Sequence, residues 1–172
     1  MWLLKVRGMA SDTALKNTSG TTSGTVSGTS EVSMTPRRRA REMTLQLLFL
    51  REFAPAKGLE ASPRGLLSDF VRDFEMDQEI AAYGGILFIG VCANQEAIDR
   101  MIEALARHLK LSRLSLVDLS LLRMATFEMS FMVPKLSPGI AIDEAVELAR
   151  LYGSTDSASF VNGILDPIAR QL

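Results

Sequence analysis

Arg37, Arg38, Arg39 and Arg41 place four guanidinium groups within five residues, followed by a single nearby acid, Glu42. A guanidinium presents a planar fork of N–H donors that matches the oxygens of a phosphate. Thr35 and Pro36, just ahead of the cluster, read as a helix cap and a first helical residue. The cations then fall in the first turns of a helix, where the peptide dipoles favour carboxylates instead. A local conflict of this kind is expected at a functional site. Three uses are open to the cluster: a grip on RNA or another polyanion, a solvated chain end, or a nuclear or membrane-surface address.

Catalytic chemistry finds little to work with. His108 is the single histidine, sits beside Leu109 and has no evident acid or nucleophile partner, which suits the boundary of a core. Cys92 is the single cysteine, so an intrachain disulfide and a Cys/His zinc cluster are excluded and a reducing compartment is expected. Asp143, Glu144 and Glu147 fall on one predicted helix, where exposed acids usually serve solubility, and no second carboxylate group is placed to make a general acid/base pair. Gly84-Gly85 lacks the lysine and Ser/Thr that follow in a phosphate-binding loop. The expectation is a protein that is not an enzyme, with no cofactor and no metal.

The elements that must position the arginines are bounded by composition. A chain of 172 residues that is 47% hydrophobic fits one domain. Its net charge of −1 provides no global field to gather a polyanion, so binding must rest on a local patch. The apolar run in Met1–Arg7 is too short for the core of a signal peptide. The longest apolar stretch, near Ile86–Ala93, is far below the roughly 20 residues that cross a bilayer. A soluble, cytoplasmic protein is expected. Residues 18–29 read Thr-Ser-Gly-Thr twice and then Val-Ser-Gly-Thr, with little to bury, which predicts a disordered N-terminal extension over 1–34, either a plain tail or a tether, with Met34 as an alternative native start. The folded domain is expected over 35–172.

Within that domain the punctuation is helical. A first helix is predicted over 36–53, then a loop marked by Pro55, Gly58 and Pro63, then an amphipathic helix carrying Leu66, Leu67, Phe70, Val71 and Phe74. Gly84, Gly85 and Gly90 sit in a helical pattern with Tyr83, Leu87, Phe88 and Val91, which implies close approach of a neighbouring helix. Ile98, Met101, Ile102, Leu105 and Leu109 form a one-faced core stripe. Ser115 and Asp118 are spaced as a capping box before a segment, Leu116–Met132, apolar on almost every face, as befits a central helix. A further helix carries Ile142, Ala145, Val146, Ala149 and Tyr152 and stops at Gly153. Ser154 or Asp156 can cap a last one, whose buried side should carry Phe160, Ile164, Leu165 and Ile168. With no sustained period-two alternation, the fold class is all-α, a compact bundle of about seven helices.

These residues resemble the NusB transcription antitermination family over about 36–172. Arg37-Arg38-Arg39-Ala40-Arg41-Glu42 followed by Leu45-Gln46-Leu47-Leu48-Phe49 is similar to the family's first helix, and Leu122-Arg123-Met124-Ala125, closing with Glu128, to its central helix. The C-terminal half carries the most specific motifs: Ala141 to Ala149, then Tyr152-Gly153, Asp156-Ser157 and Phe160 to Asp166. The resemblance implies a seven-helix factor that pairs with the ribosomal protein NusE, binds boxA-type single-stranded RNA of nascent ribosomal RNA, and works with other Nus factors on the RNA polymerase complex. Carried over, Arg37, Arg38, Arg39 and Arg41 would hold the RNA backbone, while Phe49, Asp156 and Phe160 match family positions near the RNA. Two roles are open to Phe160, since stacking on a base and packing in the core both suit its ring.

Three departures limit the transfer. Ala158-Ser159 stands where relatives often have a basic residue, Asp143 replaces a common Asn, and Pro167 is expected to kink or end the last helix by removing a bond to the Gly163 carbonyl. Two rival readings follow from the same residues: a helical accessory domain related to ribosomal RNA 5-methylcytosine methyltransferases, and a purely protein-binding module whose arginines pair with an acidic partner.

Overall fold

The computed structural model describes residues 35–53, 62–105 and 110–172. The expectations about the extension over 1–34, about Pro55 and Gly58, and about His108 lie outside the described residues. Among those described there are six α-helices, one short 3-10 helix and no strand: α1 (Pro36–Phe53), α2 (Pro63–Asp73), α3 (Gln78–Leu105), the 3-10 helix (Leu111–Arg113), α4 (Leu116–Ser130), α5 (Pro138–Tyr152) and α6 (Ser157–Ala169).

Local chemistry fixes most of the boundaries. The Arg38 N–H donates to Thr35 Oγ1 at 3.3 Å, so Thr35 and Pro36 start α1 as their types dictate. Ser62 and Ser115 cap α2 and α4 by accepting the N–H groups of Gly65 and Asp118, each at 3.0 Å. The Tyr83–Val91 pattern and the Ile98–Leu105 stripe belong to one helix, α3, whose 28 residues span about 42 Å.

The central helix is α4, which packs against α1, α3, α5 and α6. Leu121, Leu122, Met124, Ala125 and Met129 are almost fully buried, as a helix enclosed on all sides requires. The glycines of α3 make room for the neighbours. A Cβ on Gly84 would lie 3.0 Å from the Ala40 carbonyl oxygen of α1, and one on Gly90 would lie 2.0 Å from Phe127 Cζ of α4. Thr44 stitches the first of these seams by donating to the Ala40 and Gly84 carbonyls at 2.9 and 3.1 Å.

Of the two outcomes expected at Pro167, a kink or an end, the second is corrected: the last helix runs on to Ala169. Proline forfeits one bond to the Gly163 carbonyl, but only two helical residues follow it, so little of the helix depends on that bond. Past it, the Arg170 N–H still reaches the Asp166 carbonyl at 3.2 Å. Among the described residues no helix is long and apolar enough to cross a membrane.

Candidate nucleic-acid interface

The capped start of α1 sets its arginines on different faces, because successive residues turn by about 100°. Arg37 and Arg41, four apart, lie above one another, and both approach the ring of Tyr83 on α3. The guanidinium carbon of Arg37 is 3.9 Å from the ring centroid and that of Arg41 is 5.6 Å. From there the two side chains part. Arg37 stays exposed, whereas Arg41 is only 3% exposed and turns inward to Glu128 of α4.

Arg41 and Glu128 form a closed pair, with Nε donating to Oε1 and Oε2 at 3.1 and 3.2 Å and Nη2 2.8 Å from Oε1. The Tyr83 hydroxyl donates to the same Oε1 at 2.6 Å. Burial, and then that bond to Glu128, push the Tyr83 hydroxyl up to about 12, so it remains a donor at neutral pH. On the other side Arg38 meets Glu144 of α5 through a fork, Nε to Oε2 at 3.0 Å and Nη2 to Oε1 at 2.9 Å. The bond to Glu144 holds Arg38 more firmly protonated than an isolated arginine, against the opposing effect of burial. Arg41 Nη1 also lies 3.5 Å from Glu144 Oε2, which joins the two pairs into one layer.

The expected charge count of four arginines against Glu42 alone is therefore corrected. The fold brings Glu128 and Glu144, distant in sequence, under the cluster, and Arg41 becomes an internal residue. Glu42 is itself buried and accepts from the Tyr152 hydroxyl at 3.0 Å. Burial pushes its carboxyl up, while the Tyr152 bond and the charges of Arg39 and Arg38 pull it down. The Tyr152 hydroxyl is pushed up in turn, first by burial and then by the charge of Glu42. What the cluster shows at the surface is Arg37, with Arg39 half-buried in the same turn and Arg38 half-buried on Glu144.

The remaining candidates border this region unequally. Tyr152, bonded to Glu42, ends α5 and anchors the α5–α6 junction to α1. Asp156 is exposed in that junction, and its side chain makes no capping bond. Its carbonyl accepts from the Phe160 N–H at 3.0 Å and the Ser159 hydroxyl at 2.9 Å. The Ser154 N–H is taken instead by the Ser157 hydroxyl, at 2.9 Å. Phe160 is half-buried and packs against the core, so part of its ring is committed inward. Phe49 stands far from the cations, eleven residues beyond Arg38, or about 16 Å along the axis and about 20° round it. Its ring lies 5.1 Å from that of Phe53, which is 67% exposed, so an aromatic pair closes the far end of α1.

Tyr83, Glu128 and Glu144 were not singled out from the sequence as parts of this site. Tyr83 reads as core, and Glu144 reads as one of several solubilising acids. Glu128 did carry a signal: a carboxylate on a helix apolar on every face requires a cationic or hydrogen-bonding partner. Among the described residues no group of three or more His, Cys, Asp or Glu could hold a metal ion.

Comparison with known proteins matches the NusB family model to residues 38–170. The chain is similar to transcription antitermination protein NusB of Bdellovibrio bacteriovorus, with 41% identity over 141 residues, covering 81% of this chain and 98% of the relative. Its fold is similar to that of T. maritima NusB, at 34% identity and a TM-score of 0.65 over 80% of this chain and 92% of the other. It also resembles a chain in a crystal structure of antitermination factors NusB and NusE in complex with dsRNA. There the identity is 25% and the TM-score 0.67, over 80% of this chain and 98% of that one.

Proposed function

The chain belongs to the NusB family, and from that premise we propose that it is a transcription antitermination factor that binds boxA-type RNA of nascent ribosomal transcripts together with NusE. The observation that carries the RNA reading is Arg37, exposed at the first turn of α1 and stacked on Tyr83 above a layer in which Arg38 and Arg41 are matched by Glu144 and Glu128. Arg37 and Arg39 grip phosphates. Arg38 and Arg41 shape the surface beneath them. Phe49, Asp156 and Phe160 border the path of the strand, with bases meeting exposed ring surface where arginine supplies charge alone.

The protein acts as an adaptor, not an enzyme. Its carboxylates at this site are held by arginine and tyrosine side chains and are not paired for proton transfer, which supports that reading. The names of the relatives favour it over a methyltransferase accessory domain. Work on nascent transcripts places it in the cytoplasm, alongside the other Nus factors and RNA polymerase.

The test is a mobility-shift titration of boxA-type single-stranded RNA with the chain alone, with NusE alone, and with both. The combination is expected to retain RNA at lower protein concentration than either component. A mixture that binds no better than the components would overturn the partner-dependent reading. Equal retention of an unrelated RNA of the same length would overturn the boxA preference.

A further inference from the structure

Tyr83 has two contacts that point in opposite directions through the protein. Its ring underlies the Arg37 guanidinium carbon at 3.9 Å, and its hydroxyl is bonded to Glu128, 45 residues away on the central helix. Tyr83 is only 8% exposed and its hydroxyl is tied to Glu128, so the ring is held in place beneath the arginine. It stands at the edge of the Gly84 seam, where α1 and α3 approach closely enough for Thr44 to bond both backbones. Glu128 is itself pinned by Arg41, whose guanidinium reaches both of its oxygens. Arg37 is thus the outermost member of a stack whose lower members are fixed in the core.

An exposed arginine that begins a helix is ordinarily free to sample many rotamers, and that freedom is lost when it grips a phosphate. A ring held beneath the guanidinium removes part of the loss in advance, through attraction of the cation to the ring face. We propose that Tyr83 is a positioning residue for Arg37, a fixed aromatic shelf that holds the guanidinium ready for a phosphate of the bound RNA. The inference rests on the RNA-binding reading above and adds to it the residue through which the core sets the geometry of the grip.

The two halves of Tyr83 can be separated. Tyr83→Phe keeps the shelf and loses the bond to Glu128, whereas Tyr83→Leu loses both. Affinity for boxA-type RNA, measured with NusE present at fixed salt, is expected to fall by about two- to tenfold in Tyr83→Leu, the range for ordering one long side chain. Tyr83→Phe restores most of that loss although its Tm is lowered. Arg37→Ala weakens binding at least as much as Tyr83→Leu, and adding Tyr83→Leu to Arg37→Ala costs no further affinity. Equal losses in Tyr83→Leu and Tyr83→Phe would overturn the proposal by assigning the effect to the hydroxyl. A further loss from Tyr83→Leu in the Arg37→Ala background would overturn it by showing a route other than Arg37.

A second measurement needs no RNA and remains available if Tyr83→Leu fails to fold. Proton NMR of the wild-type chain should show the Arg37 δ-methylene protons shifted upfield by the ring current, and Tyr83→Phe should preserve that shift. Arginine signals at ordinary positions would overturn the shelf whatever RNA does. A wild-type protein that shows the shift and binds no RNA would instead sink the RNA reading while leaving the shelf in place.

Discussion

Arg41 and Glu128 close on each other inside the protein, Nη2 lying 2.8 Å from Oε1 with both side chains shielded from solvent. The pair joins the second turn of α1 to the last turn of α4. It converts one of four clustered arginines from a surface cation into a structural tie.

Breaking that tie from one side leaves a carboxylate buried without its cation. Arg41→Met is expected to cost about 3–5 kcal/mol in urea denaturation, and the apolar double variant Arg41→Met/Glu128→Leu to recover much of it. A single-variant loss of about 0–1 kcal/mol, the range of surface pairs, would mean that the pair is solvated in solution.

Stability should also carry the signature of Glu42. Its carboxyl is pushed above the ordinary glutamate value of 4.5, chiefly by burial. A carboxyl that holds its proton more tightly when folded adds stability below the ordinary value, and that contribution is lost as pH rises through the raised value. Glu42→Gln keeps an acceptor for Tyr152 and removes the titration. Urea midpoints followed upward from pH 4.5 should therefore shift steadily in favour of the variant and then level off. A difference independent of pH would contradict the raised carboxyl.

Two glycines within helices should respond to alanine with opposite signs. At Gly90 the new Cβ would lie 2.0 Å from Phe127 Cζ, a ring buried in the core, whereas at Gly163 nothing lies within 4 Å. Gly90→Ala is expected to destabilise by about 1–3 kcal/mol through overpacking. Gly163→Ala is expected to stabilise by up to about 1 kcal/mol through helix propensity. Thermal melts of the two variants check this, and stabilisation by Gly90→Ala would show that α3 and α4 are not so closely apposed.

How far the residues alone foretell this arrangement depends on the range of each interaction. Thr35 and Ser115 act on residues three positions away and Pro36 fixes its own backbone angle, so these helix starts follow from residue type. The glycines of α3 announced a close neighbour, and the uniform apolarity of α4 announced its central place. The partners of the arginines were hidden, because Arg41 meets Glu128 across 87 residues and Arg38 meets Glu144 across 106. No local pattern separates a carboxylate that will cross the core to an arginine from one that will stay in water. The expectation that Pro167 stops the helix, one of the two outcomes open to it, failed for the converse reason. A rule framed for helix interiors was applied two residues from a helix end, where there is little left to disrupt.

The salt dependence of RNA binding is the decisive measurement for a phosphate grip. Affinity of the wild-type chain and of Arg37→Ala/Arg39→Ala for boxA-type RNA, with NusE, is measured over a series of salt concentrations. On a log–log plot the variant line should be flatter by about 0.7 for each phosphate that the missing guanidinium groups no longer neutralise. Parallel lines for the two proteins would contradict a phosphate grip at the start of α1.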